Sequence, residues 1–271
     1  MRKIGMDELR QKQMEVLDYV SSFCDQQGIR YWIEGGTLLG AIRHKGYIPW
    51  DDDIDIAMLR KDYDWFRKAF PEKNQNSKFV FRCAEDDRDW HLPFGKVMDM
   101  ETLFLQDGHD LGINIDIFPI DDAPDDDRIF DYMYKKRDRL KVLNAAQQNT
   151  NPPSGNFLRK TVVCGIRVIL HCFPKYYFIR KIAKNAVKYN GKGYECIGHF
   201  TAESRMKHLS KHVVDELVEV QFEDRNYKAP KGYDKWLRAC FGDYMKLPPE
   251  KERKRHAYEA FVKEAKENVN D

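Results

Sequence analysis

Residues 47–58 read YIPWDDDIDIAM, and four aspartates fall within five positions: Asp51, Asp52, Asp53 and Asp55. Carboxylates this close repel one another, so the stretch is either a solvated acidic turn or a place where a cation is held. The following residues alternate with a period of two. Ile54, Ile56 and Met58 fall on one face of a strand; Asp53, Asp55 and Ala57 fall on the other, joined by Asp51 if the strand starts early. Asp52 then points the other way, as a turn residue or as support behind the ligands. Two carboxylates on one strand face, with Cα atoms roughly 6.5–7 Å apart, can converge on a divalent cation. Magnesium takes one or two protein carboxylates and completes its shell with water and phosphate oxygens, an arrangement suited to phosphoryl transfer. Asp116 can supply a third acid. It lies in GINIDIFPI (112–120), where Ile113, Ile115 and Ile117 face one way and Asn114 and Asp116 the other. The acids lack the spacing, central glycine and closing glutamate of an EF-hand.

A glycine-rich turn, EGGTLLG, stands about a dozen residues before the acid pair, between an apolar run and a short helical pattern. Such a turn offers backbone N–H groups and a helix N-terminus to phosphate. It has neither the lysine of a P-loop nor the spacing of a dinucleotide fingerprint. Glycine turn and acid pair together are far more specific than either alone, because they place an anion binder and a cation binder on adjacent elements.

These groups need elements to hold them. Leu9, Val16, Leu17, Val20, Phe23 and Cys24 recur at helical spacing and predict a helix over 6–27, stopped by Gly28. IRYWI (29–33), DIDIAM (53–58), KFVFRCA (78–84), FGKVMDM (94–100) and GINIDIFPI (112–120) read as strands. RKDYDWFRKAF (60–70) reads as a helix that Pro71 ends. A helical piece is expected from about 205, then a hairpin turning near Asp224, a short helix stopped by Gly242, and a charged helix over the last 20 residues.

Hydrophobic residues make up 42% of the 271-residue chain, enough for a sizeable core despite 33% charged residues. The net charge of +2 hides an asymmetry: from Phe157 to Lys192 there is no acid, but nine lysines and arginines. That stretch suits a helical pair with a basic rim, or contact with an anionic membrane surface. No nucleic-acid recognition motif accompanies it. The six cysteines form no C-x-x-C pair and read as reduced thiols. No signal peptide and no membrane-spanning run is recognised, so a cytoplasmic location, peripheral on the inner face of the membrane, is expected. His208 and His212 are read as a solvated helix face, and no zinc is assigned.

GGTLLGAIRHKGYIPWDDDIDIAM resembles the signature of the LicD family, within the nucleotidyltransferase superfamily of the DNA polymerase beta type. INIDIFPIDDAP and WLRACFGDYMKLPPEKERKRH resemble two further blocks of that family. The resemblance implies an α+β fold, with a nucleotidyltransferase-like mixed β-sheet flanked by helices over 1–125 and a largely helical, basic part over 126–271. It implies a Mg2+ (or Mn2+) ion held by Asp53, Asp55 and Asp116, with Asp51 a further candidate. Gly35, Gly36 and Thr37 would hold the donor phosphate. Arg43, His44 and Lys96 are candidates to neutralise the diphosphate, against plain surface charge for the first two and a strand-end lysine for the third. The implied reaction moves phosphocholine from CDP-choline to a sugar hydroxyl of a cell-surface glycan, with CMP leaving and the hydroxyl proton passing to Asp116 or water. Trp50, beside the acids, is the best placed tryptophan to face a quaternary ammonium, with Trp32, Trp65 and Trp90 less well placed and core packing the alternative role. The alternatives are another CDP-linked alditol phosphate, plain nucleotidyl transfer, or a catalytically dead membrane-associated adaptor.

Overall fold

The computed structural model describes residues 1–106, 108–149, 151, 157–202, 204–253 and 258–263. In chain order the elements are β1 (Arg2–Lys3), α1 (Met6–Gln27), β2 (Trp32–Ile33), α2 (Gly35–His44), β3 (Asp55–Leu59), α3 (Arg60–Lys73), β4 (Phe79–Arg82), β5 (Gly95–Gln106) and β6 (His109–Ala123). They continue as α4 (Asp127–Gln148), α5 (Phe157–His171), α6 (Tyr177–Ala186), β7 (Cys196–Gly198), β8 (Leu209–Ser210), β9 (Leu217–Phe222), β10 (Arg225–Pro230), α7 (Tyr233–Phe241) and β11 (Tyr258–Val262). The fold class is α+β with a mixed sheet, as the sequence implied. The chain divides into two compact units, one of residues 1–81, 96–119 and 212–271, the other of residues 82–95 and 120–211.

In the first unit the strand order is β1-β11-β5-β6-β3-β2, with β4 also on β5. β2 and β3 are antiparallel, pairing Trp32 with Ala57 and Ile33 with Ile56. α1 buries the stripe that its spacing dictates, Leu9, Val16, Leu17, Val20, Phe23 and Cys24, and Gly28 ends it in a left-handed conformation at φ 63°. Phe23 meets Phe66 and Phe70 of α3 with ring centroids 5.8 and 4.9 Å apart, and Phe81 of β4 closes on Phe66 at 5.2 Å. α3 runs on past Pro71 to Lys73, contrary to the expected stop. In the last turn a proline removes only one helical hydrogen bond and has little helix left to break.

The hairpin near Asp224 is present: β9 and β10 pair from Phe222 with Arg225 to Leu217 with Pro230. Two expectations fail here. Tyr258–Val262 form a strand between β1 and β5, not part of a charged helix, because Tyr258 and Ala260 pack into the cluster of Ile4, Leu9, Phe104 and Ile113. The remainder of that expected helix lies largely outside the described residues. The helical piece from 205 is also absent. His208 lies in irregular chain, Leu209–Ser210 are a strand, and His212 sits in a 3-10 turn, so the two histidines do not share a helix face.

In the second unit, Asp126 caps α4 by accepting from the Arg128 and Ile129 N–H groups at 2.8 and 3.1 Å. Gln147 near the end of α4 donates to the carbonyls of Leu170 and Phe173 at 2.9 and 3.0 Å, tying α4 to the end of α5. β7 pairs antiparallel with the end of β6, Ala123 opposite Cys196, and with β8, Cys196 opposite Ser210. Along α5, Val162, Ile166 and Ile169 stay 47–63% exposed at helical spacing. Among the described residues no helix is long and apolar enough to cross a membrane.

Candidate active site

α2 begins at Gly35, directly after Glu34. Gly35 has φ +54°, and a Cβ there would fall 2.6 Å from Asp55 Oδ2; a Cβ on Gly36 would overlap Asp51 Oδ2. These two glycines let carboxylates pack against the N-terminal turn of α2, whose backbone N–H groups carry partial positive charge. Thr37 is 2% exposed, and its hydroxyl oxygen accepts from the Asp55 N–H at 2.9 Å. Thr37 therefore joins the helix start to the strand start.

β3 starts at Asp55, so residues 51–54 are a loop and the period of two does not govern them. Carboxylate oxygens of Asp51, Asp52 and Asp53 lie within 4.8 Å of one another. Asp52, expected to point away into the turn, is 3% exposed. Asp116 reaches the same place from β6, its N–H donating to the Ile54 carbonyl at 2.8 Å. Burial first, then the charges of Asp53, Asp116, Asp51 and Glu34, push the Asp55 carboxyl well above the usual carboxylate range. The Lys96 ammonium, 6% exposed on β5, bonds to Asp116 Oδ1 and, at 2.9 Å, to Asn114 Oδ1.

An all-oxygen donor set with too much negative charge to be fully ionised by itself fits a hard divalent cation. The glycine cradle that brings the acids onto the helix terminus strengthens that fit. Asp53, Asp55 and Asp116 could hold such an ion, with Asp51 a further candidate beside Gly36.

The acid loop is gripped from three sides by residues whose role the sequence did not reveal. Arg10 of α1 donates to the Asp51 carbonyl at 2.6 Å and the Ile48 carbonyl at 3.2 Å, and lies over the Tyr47 ring at 4.5 Å. Gln13, 2% exposed, donates to the Asp52 carbonyl at 2.8 Å. Glu223, at the hairpin tip, accepts from the Tyr47 N–H at 2.8 Å, and its own N–H donates to the Lys45 carbonyl at 2.8 Å. Gln13 offered one signal, a polar residue beside the apolar stripe of α1. Glu34 was also missed as a titrating group. It accepts from Trp32 Nε1 at 3.2 Å, and burial pushes its carboxyl up to about 7 against the opposing pull of Trp32 and the Gly35 N–H.

Arg43 and His44 lie in the last turn of α2, roughly 13 Å along the helix from Gly35. Arg43 donates to the Tyr244 carbonyl at 2.6 Å and to His44 Nε2 at 2.9 Å. Burial, then the Arg43 charge, hold His44 below its ordinary pKa. The Arg253 guanidinium stacks over the Trp50 ring at 4.9 Å, with the His44 ring 6.4 Å from it. Trp32 and Trp90 are core residues at 1% exposure, and Trp65 is 51% exposed on α3. A groove of about 620 Å3 beside Tyr19 and Phe79 shares no residue with the acid cluster. The convergence of titratable groups, not cavity size, locates the candidate site.

Comparison with known proteins gives a concordant result. Residues 28–152 match the family described as LicD/FKTN/FKRP, nucleotidyltransferase domain. Lipopolysaccharide cholinephosphotransferase LicD of Haemophilus influenzae is 30% identical over 274 residues, covering 97% of this chain and 100% of that protein. Ribitol 5-phosphate transferase FKRP of Homo sapiens is 48% identical over 48 residues, covering 18% of this chain and 10% of that protein. Ribitol-5-phosphate transferase FKTN of Mus musculus is 26% identical over 109 residues, covering 40% of this chain and 21% of that protein.

Proposed function

The chain belongs to the LicD family, and from that premise we propose that it transfers phosphocholine from CDP-choline to a sugar hydroxyl of a cell-surface glycan, with release of CMP. The observation that carries the proposal is the convergence of Asp51, Asp53, Asp55 and Asp116 beside the glycine-bounded N-terminus of α2. Choline is preferred over ribitol or glycerol because the full-length likeness is to a cholinephosphotransferase, whereas the likeness to the ribitol phosphate transferases covers 40% of this chain or less.

A Mg2+ or Mn2+ ion held by Asp53, Asp55 and Asp116 would supply, when bound, positive charge against the donor's phosphates. The chain's own groups do the rest. The Gly36 N–H, at the positive end of α2, is assigned to the donor phosphate, the Gly35 N–H being bonded to the Glu34 carboxyl. Thr37 fixes Asp55 rather than reaching the phosphate itself. Lys96 is bonded to Asp116, and Asp116 is assigned to take the proton of the acceptor hydroxyl as it attacks the phosphorus bearing the alcohol. Orientation of the two substrates contributes the remainder. Arg43 and His44, at the far end of α2, are assigned to the outer reach of the donor and not to the reacting phosphorus.

The acceptor is placed on an anionic membrane surface. The exposed apolar stripe of α5, flanked by Lys160 and Lys175, has the composition of a helix lying in a lipid interface.

Thermal stabilisation by CDP-choline, CDP-ribitol and CTP, each with Mg2+, tests the donor assignment. CDP-choline should raise the transition temperature most. A larger shift with CDP-ribitol, or with CTP alone, would replace it. Sedimentation with vesicles should require anionic lipid, and equal binding to neutral vesicles or none would remove the membrane assignment.

A further inference from the structure

Three short segments of the second unit bring unlike ligand atoms together. The sheet register does this: Cys196 on β7 stands opposite Ala123 on one side and Ser210 on the other. Two residues beyond Ala123 is Asp125, and two residues before Ser210 is His208. One oxygen of Asp125, the Cys196 sulfur and one His208 nitrogen all lie within 4.8 Å of one another.

We propose that Cys196, His208 and Asp125 form a zinc site, with Asp127 as the fourth ligand. Cys196 Sγ lies 3.7 Å from His208 Nδ1. Tetrahedral zinc, with Zn–S near 2.3 Å and Zn–N near 2.0–2.1 Å, requires a separation of about 3.6 Å between those two atoms. His208 is also set for ligation. Its Nε2 donates to the Pro124 carbonyl at 3.0 Å, which leaves the Nδ1 lone pair directed at the cluster. The Phe130 ring packs edge-on against it at 4.9 Å and fixes its plane. Asp126 is occupied in capping α4, but its neighbours are not: Asp127 Oδ1 is 3.9 Å from His208 Nδ1, and its side chain is 90% exposed and able to turn inward. The set of sulfur, nitrogen and oxygen suits zinc and does not suit magnesium.

Binding would replace the thiol proton by the metal and release that proton to solvent, with His208 and Asp125 donating lone pairs. The site would staple the start of α4 to β7 and to the segment entering β8, a stabilising role that takes no part in the transfer.

The test uses the whole chain, stripped with a chelator and titrated with Zn2+ or Co2+. One equivalent of zinc should survive gel filtration, and the cobalt form should show the near-ultraviolet charge-transfer band of a thiolate ligand. Cys196→Ser should abolish the band, and His208→Asn should weaken zinc binding at least tenfold. An Asp53→Asn/Asp55→Asn double variant should keep both properties, which separates this site from the acid cluster. A cobalt form of the unaltered chain with no thiolate band overturns the proposal even if the variants fail to fold. So does a band that persists in Cys196→Ser.

Discussion

The Thr37 hydroxyl oxygen accepts a hydrogen bond from the Asp55 backbone N–H at 2.9 Å. One bond thus couples the first turn of α2, where phosphate is expected, to the strand residue at the centre of the acid cluster. Thr37→Val keeps the shape and leaves that N–H without its acceptor, at a cost of about 1–3 kcal/mol in stability. It should also lower transfer, because Asp55 loses its anchor, while Thr37→Ser keeps most of both. Chemical denaturation and initial-rate assays on the two variants check this.

Lys96 and Asp116 are a buried pair, with side chains 8% and 13% exposed. Lys96→Met removes the ammonium bonded to Asp116, and breaking such a buried pair costs roughly 3–5 kcal/mol. The loss should be largest in chelator and smaller with Mg2+, because a dication among the same acids would offset the missing ammonium. Unfolding curves of the variant with and without Mg2+ measure the difference, and an identical loss in both would separate Lys96 from the metal site.

Glu34 makes stability depend on pH in a defined direction. Its carboxyl rises from 4.5 in the unfolded chain to about 7 in the folded one. The folded state therefore keeps a proton that the unfolded chain has released. This costs nothing below pH 4.5 and turns against the folded state as pH rises through about 7. The unaltered chain should lose up to roughly 3 kcal/mol relative to Glu34→Gln over that interval. Denaturation midpoints of the two proteins at matched pH, in chelator, report it; parallel curves would contradict it.

Arg253 places a cation over the Trp50 face, 4.9 Å from the ring centre. If that face receives choline, the guanidinium must leave first. Arg253→Ala should then tighten a trimethylammonium donor, and Trp50→Ala should weaken it, each by a factor between about 2 and 30, the range for one cation–π contact. CDP-ribitol should be insensitive to both changes. Titration calorimetry with the two donors distinguishes these outcomes.

Much of the architecture was legible because apolar spacing sets it. The stripe of α1, the β9–β10 hairpin and the isoleucines of β6 follow from periods of 3.6 and 2. The acid cluster was legible as composition, but its geometry was not. The alternation of DDDIDIAM placed Asp52 on the wrong side, because β3 begins at Asp55 and the preceding loop is shaped by Arg10, Gln13 and Glu223, distant in sequence. The strand at Tyr258–Val262 was hidden in a charged segment, since only pairing with β5 and β1 makes it a strand. The nearness of Cys196 to His208 depends on sheet register, which residue types alone do not disclose.

Asp55 carries the central claim, and nucleotide product analysis tests it most directly. The unaltered chain, given CDP-choline, Mg2+ and an acceptor glycan, should release CMP in step with phosphocholine appearing on the glycan. Asp55→Asn, which is close to isosteric and should stay folded, should release less than one hundredth as much. CMP release by Asp55→Asn at the unaltered rate would contradict the account.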